Sequence, residues 1–575
     1  MAEKILSPGV FQNESDQSLV QRGIQGTSTA IVGPTVLGQP FVPTYVTSYT
    51  EYVSKFGETF KSGSYYYEYL TSLAAKDFFQ NGGQTLLVTR VISSGSTSMS
   101  TYASAAVGAF NLTGSSFTIE TLAWGDIMNN TSSAVSGALA SGSATNVRWE
   151  VTNVNTGSGT FSLAVRQGND NANQPNYIET WPNLSLDPAQ SNFISRVIGD
   201  IKPVYRVDTA GTPFIDQTGS YANASQYIRV ASVPNPQIDS IDNNGLFKAT
   251  LYSGSLPALG SGSFNGSFAG GVAATSAVQL MNEAITTGSI QGFVPADYQA
   301  AFTLLNNKDE YQFNVLLAPG ITLGSGVAAS SMISTCEGRG DAIAIIDTTT
   351  YGSTVTGATT AAAGQSSNYA ATYWPWIQLF SSTLGKSVWA PASTVMGGVL
   401  AFNDQVGAEW FAPAGLNRGG VPSVLRAERK LSQNDRDTLY NANVNPLATF
   451  PGEGVVVFGQ KTLQRKATAL DRVNVRRLLI ALKGFIGQVA NNLVFEQNTN
   501  VTRNRFLAQV NPYMESVVQR QGLFAYKVVM DETNNTADVI DRNQLVGQIY
   551  IQPTKTAEFI ILNFNILPTG ATFPA

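Results

Sequence analysis

The stretch Gly324-Ser325-Gly326-Val327-Ala328-Ala329 has the glycine spacing of a loop that wraps a dinucleotide pyrophosphate. A strand-like run lies upstream, a helical pattern follows, and Asp347 closes the next strand where a ribose-binding acid would sit. That fingerprint needs its first glycine at the tight turn leaving the strand. Here Ala318-Pro319-Gly320-Ile321-Thr322-Leu323 intervenes, which displaces the turn from the sheet edge and argues against a nucleotide. Gly385-Lys386-Ser387 copies the end of a P-loop, but the leading glycine would fall on Phe380, whose side chain would block the backbone cradle. Asp239, Asp242, Asn243, Asn244 and Gly245 copy part of a calcium loop, with Leu251 where the bidentate acid belongs, so an Asn-Gly turn is the better reading. Glu337, Asp341 and Asp347 are carboxylates whose spacing sets no two of them face to face for acid/base work.

Composition closes further routes. The chain has no histidine and one cysteine, Cys336, which excludes a Ser-His or Cys-His nucleophile pair, an internal disulfide and a zinc site of Cys and His ligands. A net charge of -5 lacks the basic footprint of a general nucleic-acid or anionic-membrane binder. No apolar run reaches bilayer-spanning length and no basic-then-apolar leader opens the chain, so folding in a cytoplasm without membrane insertion is expected. No catalytic, metal or cofactor site is expected either. At 575 residues, three or four domains are expected. Charged residues make up 13%, about half of the usual ~25%, and a surface so poor in charge is easiest to understand if much of it faces other subunits.

The elements that would carry these residues suggest an α+β multidomain chain. Residues 1–26 read as an extended arm. Ala30-Ile31-Val32-Gly33 reads as a short buried strand closed by Gly33-Pro34, and 41–47 as a second. Tyr66, Tyr69, Leu70, Leu73, Ala74, Asp77 and Phe78 predict a helix over 65–80, stopped by Asn81-Gly82-Gly83, with a buried strand at 86–92. The Ser/Thr/Gly/Ala-rich stretch 93–104 marks a boundary, and short alternating runs such as 147–151 and 161–166 predict β-rich insertion domains up to 270. Helices at 273–285 and 327–336 with buried strands at 313–317 and 342–346 form a β-α-β unit. Residues 470–494 predict a helix with one apolar stripe, including Val475, Leu478, Leu482 and Val489, and with Arg472, Arg476 and Lys483 on the opposite face. Trp374-Pro375-Trp376 and the segment 410–415 read first as core near a loop. The chain ends in strands at 525–530, 546–552 and 559–566.

Several stretches, taken in order, resemble the contractile tail sheath family. They are Ser7-Pro8-Gly9-Val10-Phe11 with Glu14 and Asp16, Ala30-Ile31-Val32-Gly33, Phe78-Phe79-Gln80-Asn81-Gly82-Gly83, Tyr373-Trp374-Pro375-Trp376, Ala412-Pro413-Ala414-Gly415, Asn511-Pro512, Gly522-Leu523, and the ending with Pro553 and Glu558. Between 93 and 270 only pieces match, such as Asn183-Leu184-Ser185-Leu186-Asp187-Pro188. The resemblance implies discontinuous inner and middle α/β domains built from both chain ends, with a β-rich central insertion projecting outward. Its boundaries are an arm at 1–26, a middle domain at 27–92 and 271–427, an outer insertion at 93–270 and an inner domain at 428–575. It further implies a structural subunit that is not an enzyme and takes no cofactor. Its partners would be copies of itself in stacked, hexameric, helically arranged rings, a tail tube protein, and baseplate and neck or terminator proteins, with no direct nucleic-acid contact. It would be assembled in the host cytoplasm and end in the virion tail. The competing readings are a dinucleotide-binding enzyme using 324–329 and a tail-fibre or surface-layer protein.

On that reading the chain ends become linkers. Phe559, Ile560, Ile561, Leu562 and Phe564 would make an aggregation-prone edge if left open. Together with Ser7, Pro8, Gly9, Val10 and Phe11 they are expected to complete sheets in adjacent subunits. Arg472, Arg476 and Lys483 are expected to face the tube.

Overall fold

The computed structural model describes residues 28–62, 65–92, 102–108, 115–130, 134–135, 137–237, 242–244, 246, 255–271 and 285–558. The arm Ser7 to Phe11, the helix expected from 273 and the terminal strand from Phe559 to Phe564 lie outside the described residues.

Continuous apolar runs of β-branched and aliphatic residues cannot leave a face to water, and they build the centre of a sheet covered on both sides. Its strands are β1 (Ser28–Gly33), β2 (Thr44–Val46), β3 (Thr85–Arg90), β4 (Val315–Thr322), β5 (Ile343–Asp347), β6 (Ala370–Trp374), β7 (Asn445–Phe450) and β8 (Gly454–Val457). They lie in the order β2-β3-β1-β4-β5-β6-β7-β8. The six inner strands run parallel, and β2 and β8 close the edges antiparallel. Ile31 stands between Val88 and Leu317, so the sheet joins the two sides of the long insertion directly.

The strands alternate their side chains between two cores. Ala30, Val32, Leu87, Leu316, Ala344 and Ile346 pack on one face, with Met332 and Cys336 of α2 (Val327–Arg339) above them. Ile31, Leu86, Val88, Leu317, Ile343 and Ile345 pack on the other, under α1 (Leu70–Gln80) and α3 (Ser393–Val406). Gly397 brings α3 onto the sheet: a Cβ there would meet Leu317 Cδ1 at 2.8 Å.

Four expectations need correction. Tyr65–Glu68 is a strand paired with Thr59–Ser62, and the helix starts only at Leu70, because a run of tyrosines favours a hairpin once a partner strand is adjacent. β4 does not stop at 317 but continues through Pro319 and Gly320 to Thr322, with a register irregularity between Leu317 and Thr322. The helix expected over 470–494 is a 3-10 turn, Ala469–Asp471, followed by α4 (Val473–Asn491). Finally, β7 and β8 belong to the central sheet, so that unit extends to 457, beyond the boundary expected at 427.

The described residues between 102 and 237 hold further sheets. Val147–Asn155, Thr160–Gln167 and Tyr177–Ser185 form one antiparallel sheet, while Ser115–Trp124 lies between Tyr102–Gly108 and Ile228–Ser232 in another. Phe117, Ile119, Val151, Phe161, Leu163 and Leu184 make their core, which runs on into Val36, Leu37 and Tyr69.

Candidate assembly interface

The C-terminal unit consists of α4, α5 (Asn500–Gln519), β9 (Leu523–Val529) and β10 (Gln548–Pro553). Two apolar stripes run along α4. Val473 and Ile480 enter the core of the central sheet, whereas Leu478, Leu482 and Val489 pack against Phe506, Val510, Met514 and Val517 of α5. One helix therefore belongs to two cores. Phe485 stacks on Tyr513 with ring centroids 3.8 Å apart, and Trp410 Nε1 donates to the Arg520 carbonyl at 3.0 Å, tying the 410 segment to the end of α5.

β9 and β10 pair only with each other among the described residues, so both outer edges of this two-stranded sheet are open. Such a hairpin needs a packed face to persist. Here Tyr526, Val528, Ile549 and Ile551 supply it against the α5 core, and the Tyr526 hydroxyl donates to the Asn511 carbonyl at 3.0 Å. Phe524 and Tyr550 remain exposed.

Beyond β10 the chain returns to the central unit and is fastened by Glu558. Its carboxylate accepts from Arg472 Nε at 2.7 Å and Nη2 at 2.9 Å, from the Tyr440 hydroxyl at 2.8 Å and from Gln460 Nε2 at 3.0 Å. Burial by itself would raise this carboxyl. The hydrogen bonds from Arg472, Tyr440 and Gln460 act the other way and hold it below its ordinary value.

The expected open basic face is corrected by these contacts. Arg472 is engaged by Glu558. Arg476 is 3% exposed, donates to the Asn368 carbonyl at 3.1 Å and to Asn368 Oδ1 at 2.7 Å, and lies over the Tyr369 ring at 4.0 Å. Lys483 alone of the three is exposed, with Nζ 3.3 Å from the Tyr369 hydroxyl. Arg477, next to them, is buried in an ion pair with Asp404 of α3. Periodicity could not find Glu558 and Asp404, because each is a lone carboxylate far away in sequence.

The candidates for chemistry are absorbed by structure. Asp347 accepts from the Gly320 N–H at 2.9 Å, the Ser393 N–H at 2.9 Å and the Ser393 hydroxyl at 2.7 Å, which locks the β4 irregularity to the start of α3 and leaves no arm for a ribose. Burial pushes its carboxyl up to about 6 despite those bonds. Glu337 accepts from Ser367, and Asp341 pairs with Arg339. Gly385 sits at φ 63 in the turn between the antiparallel strands Ile377–Ser381 and Lys386–Ala390, not in a phosphate cradle. Asp242 caps its own turn by accepting from the Asn244 and Leu246 N–H groups at 2.8 and 3.0 Å; Asp239, Gly245 and Leu251 lie outside the described residues. Trp374 and Trp376 are core residues. Among the described residues no cluster of acids or Cys could hold a metal ion, and no helix is long and apolar enough to cross a membrane.

Residues 291–463, which contain β4 to β8, match the family described as phage tail sheath protein central domain, and residues 465–567, which contain α4 to β10, match the phage tail sheath C-terminal domain. Over these residues the chain is similar to phage tail sheath proteins. The tail sheath protein of Vibrio phage KVP40 is 41% identical over 185 residues, and that of Enterobacteria phage T4 is 39% identical over 185 residues. Each match covers 32% of this chain and 28% of the relative, so the chain spans under a third of the length of these tail sheath proteins. The solved structure of a sheath tail protein from Listeria innocua superimposes with a TM-score of 0.52 at 9% identity, covering 92% of this chain and 96% of that one, which shows a shared fold.

Proposed function

We propose that this chain is the structural subunit of a contractile tail sheath, which polymerises around a tail tube and contracts to drive that tube through a host envelope. The observation that carries this reading is the pair of tail sheath domains over 291–567. The edges of β9 and β10, which have no partner strand among the described residues, support it, because such edges are places where strands of neighbouring copies add. In this reading Ser7 to Phe11 and Phe559 to Phe564 are those strands, the C-terminal unit faces the tube and the insertion faces outward. Lys483 is the cation of α4 available to the tube, and baseplate and neck proteins bound the assembly in the virion tail.

Such a subunit needs no catalytic site. Copies assembled on a template in a higher-energy arrangement, and held there by a barrier, release that energy on repacking. Electron microscopy of the purified full-length chain tests the function: hollow tubes are expected, and a chain that stays monomeric at high concentration or forms solid fibres would overturn it.

A further inference from the structure

The C-terminal unit carries a projection and a recess at opposite ends of one helix. After α4 the chain buries Leu493 and then turns Phe495 fully outward, at 100% exposure and with φ 70, a conformation that a bulky residue adopts only when its surroundings impose it. The connection is tied down rather than loose. Thr502 Oγ1 donates to the Gln497 carbonyl at 2.7 Å, Arg503 Nε to Asn498 Oδ1 at 2.9 Å, and Asn498 Nδ2 to the Gln544 carbonyl at 2.8 Å. Val494, just before the ring, is also exposed, and Glu496, just after it, has no cationic partner among the described residues.

At the start of α4 lies a cleft of about 620 Å³ with Trp410, Tyr440 and Phe458 in its walls. Arg418 and Arg436 line it too. Arg418 Nε donates to the Ala412 carbonyl, and Arg436 lies over the Phe450 and Phe458 rings, but neither has a carboxylate partner among the described residues. Lys555 is a third cation in the lining and Asp437 an acid, while Glu558 is already held by Arg472. The recess is thus aromatic with cationic walls, and the projection is an apolar ring followed by an acid.

The 19 residues of α4 separate the two by roughly 28 Å at ~1.5 Å per residue, so the projection cannot reach its own cleft. A knob and a complementary recess at different places on one chain make a heterologous contact, which propagates from copy to copy into rings or helical arrays. We propose that Phe495 of one copy seats in the cleft between Trp410, Tyr440 and Phe458 of a second copy, with Glu496 facing Arg418 and Arg436. This contact rests on the reading that the chain polymerises, and it lies apart from any strand addition at β9 and β10.

The test uses two full-length chains, one carrying Phe495→Cys and the other Ala414→Cys in the cleft wall; the native Cys336 is buried and does not compete. Mixed, assembled and oxidised, they are expected to give a disulfide-linked dimer of two 61.2 kDa chains, which neither gives alone. Glu496→Arg is expected to abolish tubes, and adding Arg436→Glu to restore them. Tubes that form without the cross-link, or that survive Glu496→Arg unchanged, overturn this contact and leave the functional reading standing. Protection of the Phe495→Cys thiol by tube protein alone overturns it in favour of a tube contact. An unaltered chain that forms no polymer of any kind overturns the functional reading and this contact with it.

Discussion

Arg477 of α4 and Asp404 of α3 meet in a two-pronged ion pair, Nη1 to Oδ1 at 2.8 Å and Nη2 to Oδ2 at 2.5 Å, with the arginine side chain 2% exposed. It is a charged bond between the C-terminal unit and the central unit. A buried pair of this kind is costly to break from one side, because the remaining charge has no water to return to. Arg477→Ala is expected to lower stability by about 3–5 kcal/mol in urea unfolding. Arg477→Met combined with Asp404→Leu is expected to recover most of that loss. A single variant within 1 kcal/mol or so of the parent would show that the pair is solvated and unimportant.

Buried carboxyls give the chain a pH dependence of unusual sign. Burial pushes Asp77 up to about 7, against hydrogen bonds from Ser423 and Asn81, and Asp347 up to about 6. A carboxyl whose folded value lies above its unfolded value of about 3.9 binds its proton more tightly when folded. Its destabilising effect is absent below about pH 4, grows as pH rises, and is complete once pH exceeds the folded value. Thermal unfolding should therefore show the subunit gaining stability as pH falls from about 8 toward about 5. Asp77→Asn, which can still accept from Ser423, should raise stability at about pH 8 by on the order of 1 kcal/mol and flatten the slope. Glu558 works in the opposite sense: its depressed carboxyl stabilises above the ordinary carboxylate value, and that contribution is lost as pH falls through its folded value. A profile that only declines on acidification would contradict the role assigned to Asp77.

Removing residues 2–11 takes away the proposed linking strand and none of the described core. The expected product is a folded, soluble subunit that does not form tubes. Circular dichroism and electron microscopy on the same sample decide it, and either normal tubes or an unfolded monomer would sink the linking role.

The cations of α4 should separate by what they touch. Lys483→Glu is expected to leave folding intact and, on co-expression with tube protein, to prevent tube-templated extended sheath. Arg476→Glu should instead unfold the region, because it places a carboxylate against the Asn368 carbonyl and the face of Tyr369. Extended assembly unimpaired by Lys483→Glu would remove α4 from the tube contact.

The inner strands of the central sheet are legible in the sequence because their apolar runs are short, continuous and bounded by turn residues; Ala30-Ile31-Val32 and Ile343–Asp347 need no partner to be recognised. Tyr66 and Tyr67 show the limit. A helix-compatible spacing cannot report that Thr59–Ser62 lies alongside to make a hairpin. The partners of Arg472 and Arg476 are hidden for a related reason: periodicity identifies one apolar stripe, but it cannot say that Arg476 is met by Asn368 and Tyr369 or that Arg472 is met by the returning chain at Glu558. The tail sheath resemblance was legible because it rests on the order of many short segments, which does not depend on how each one folds.

The sharing of α4 between two cores has a mechanical consequence. A helix whose Val473 and Ile480 are set in one unit while Leu478, Leu482 and Val489 are set in the other cannot act as a hinge between them without emptying packed volume on both sides. A rotation of the C-terminal unit is therefore resisted by packing in the core of the central sheet. A subunit built this way turns as a single stiff body, and the compliance that any large rearrangement of a polymer requires must come from the strands and connections between copies.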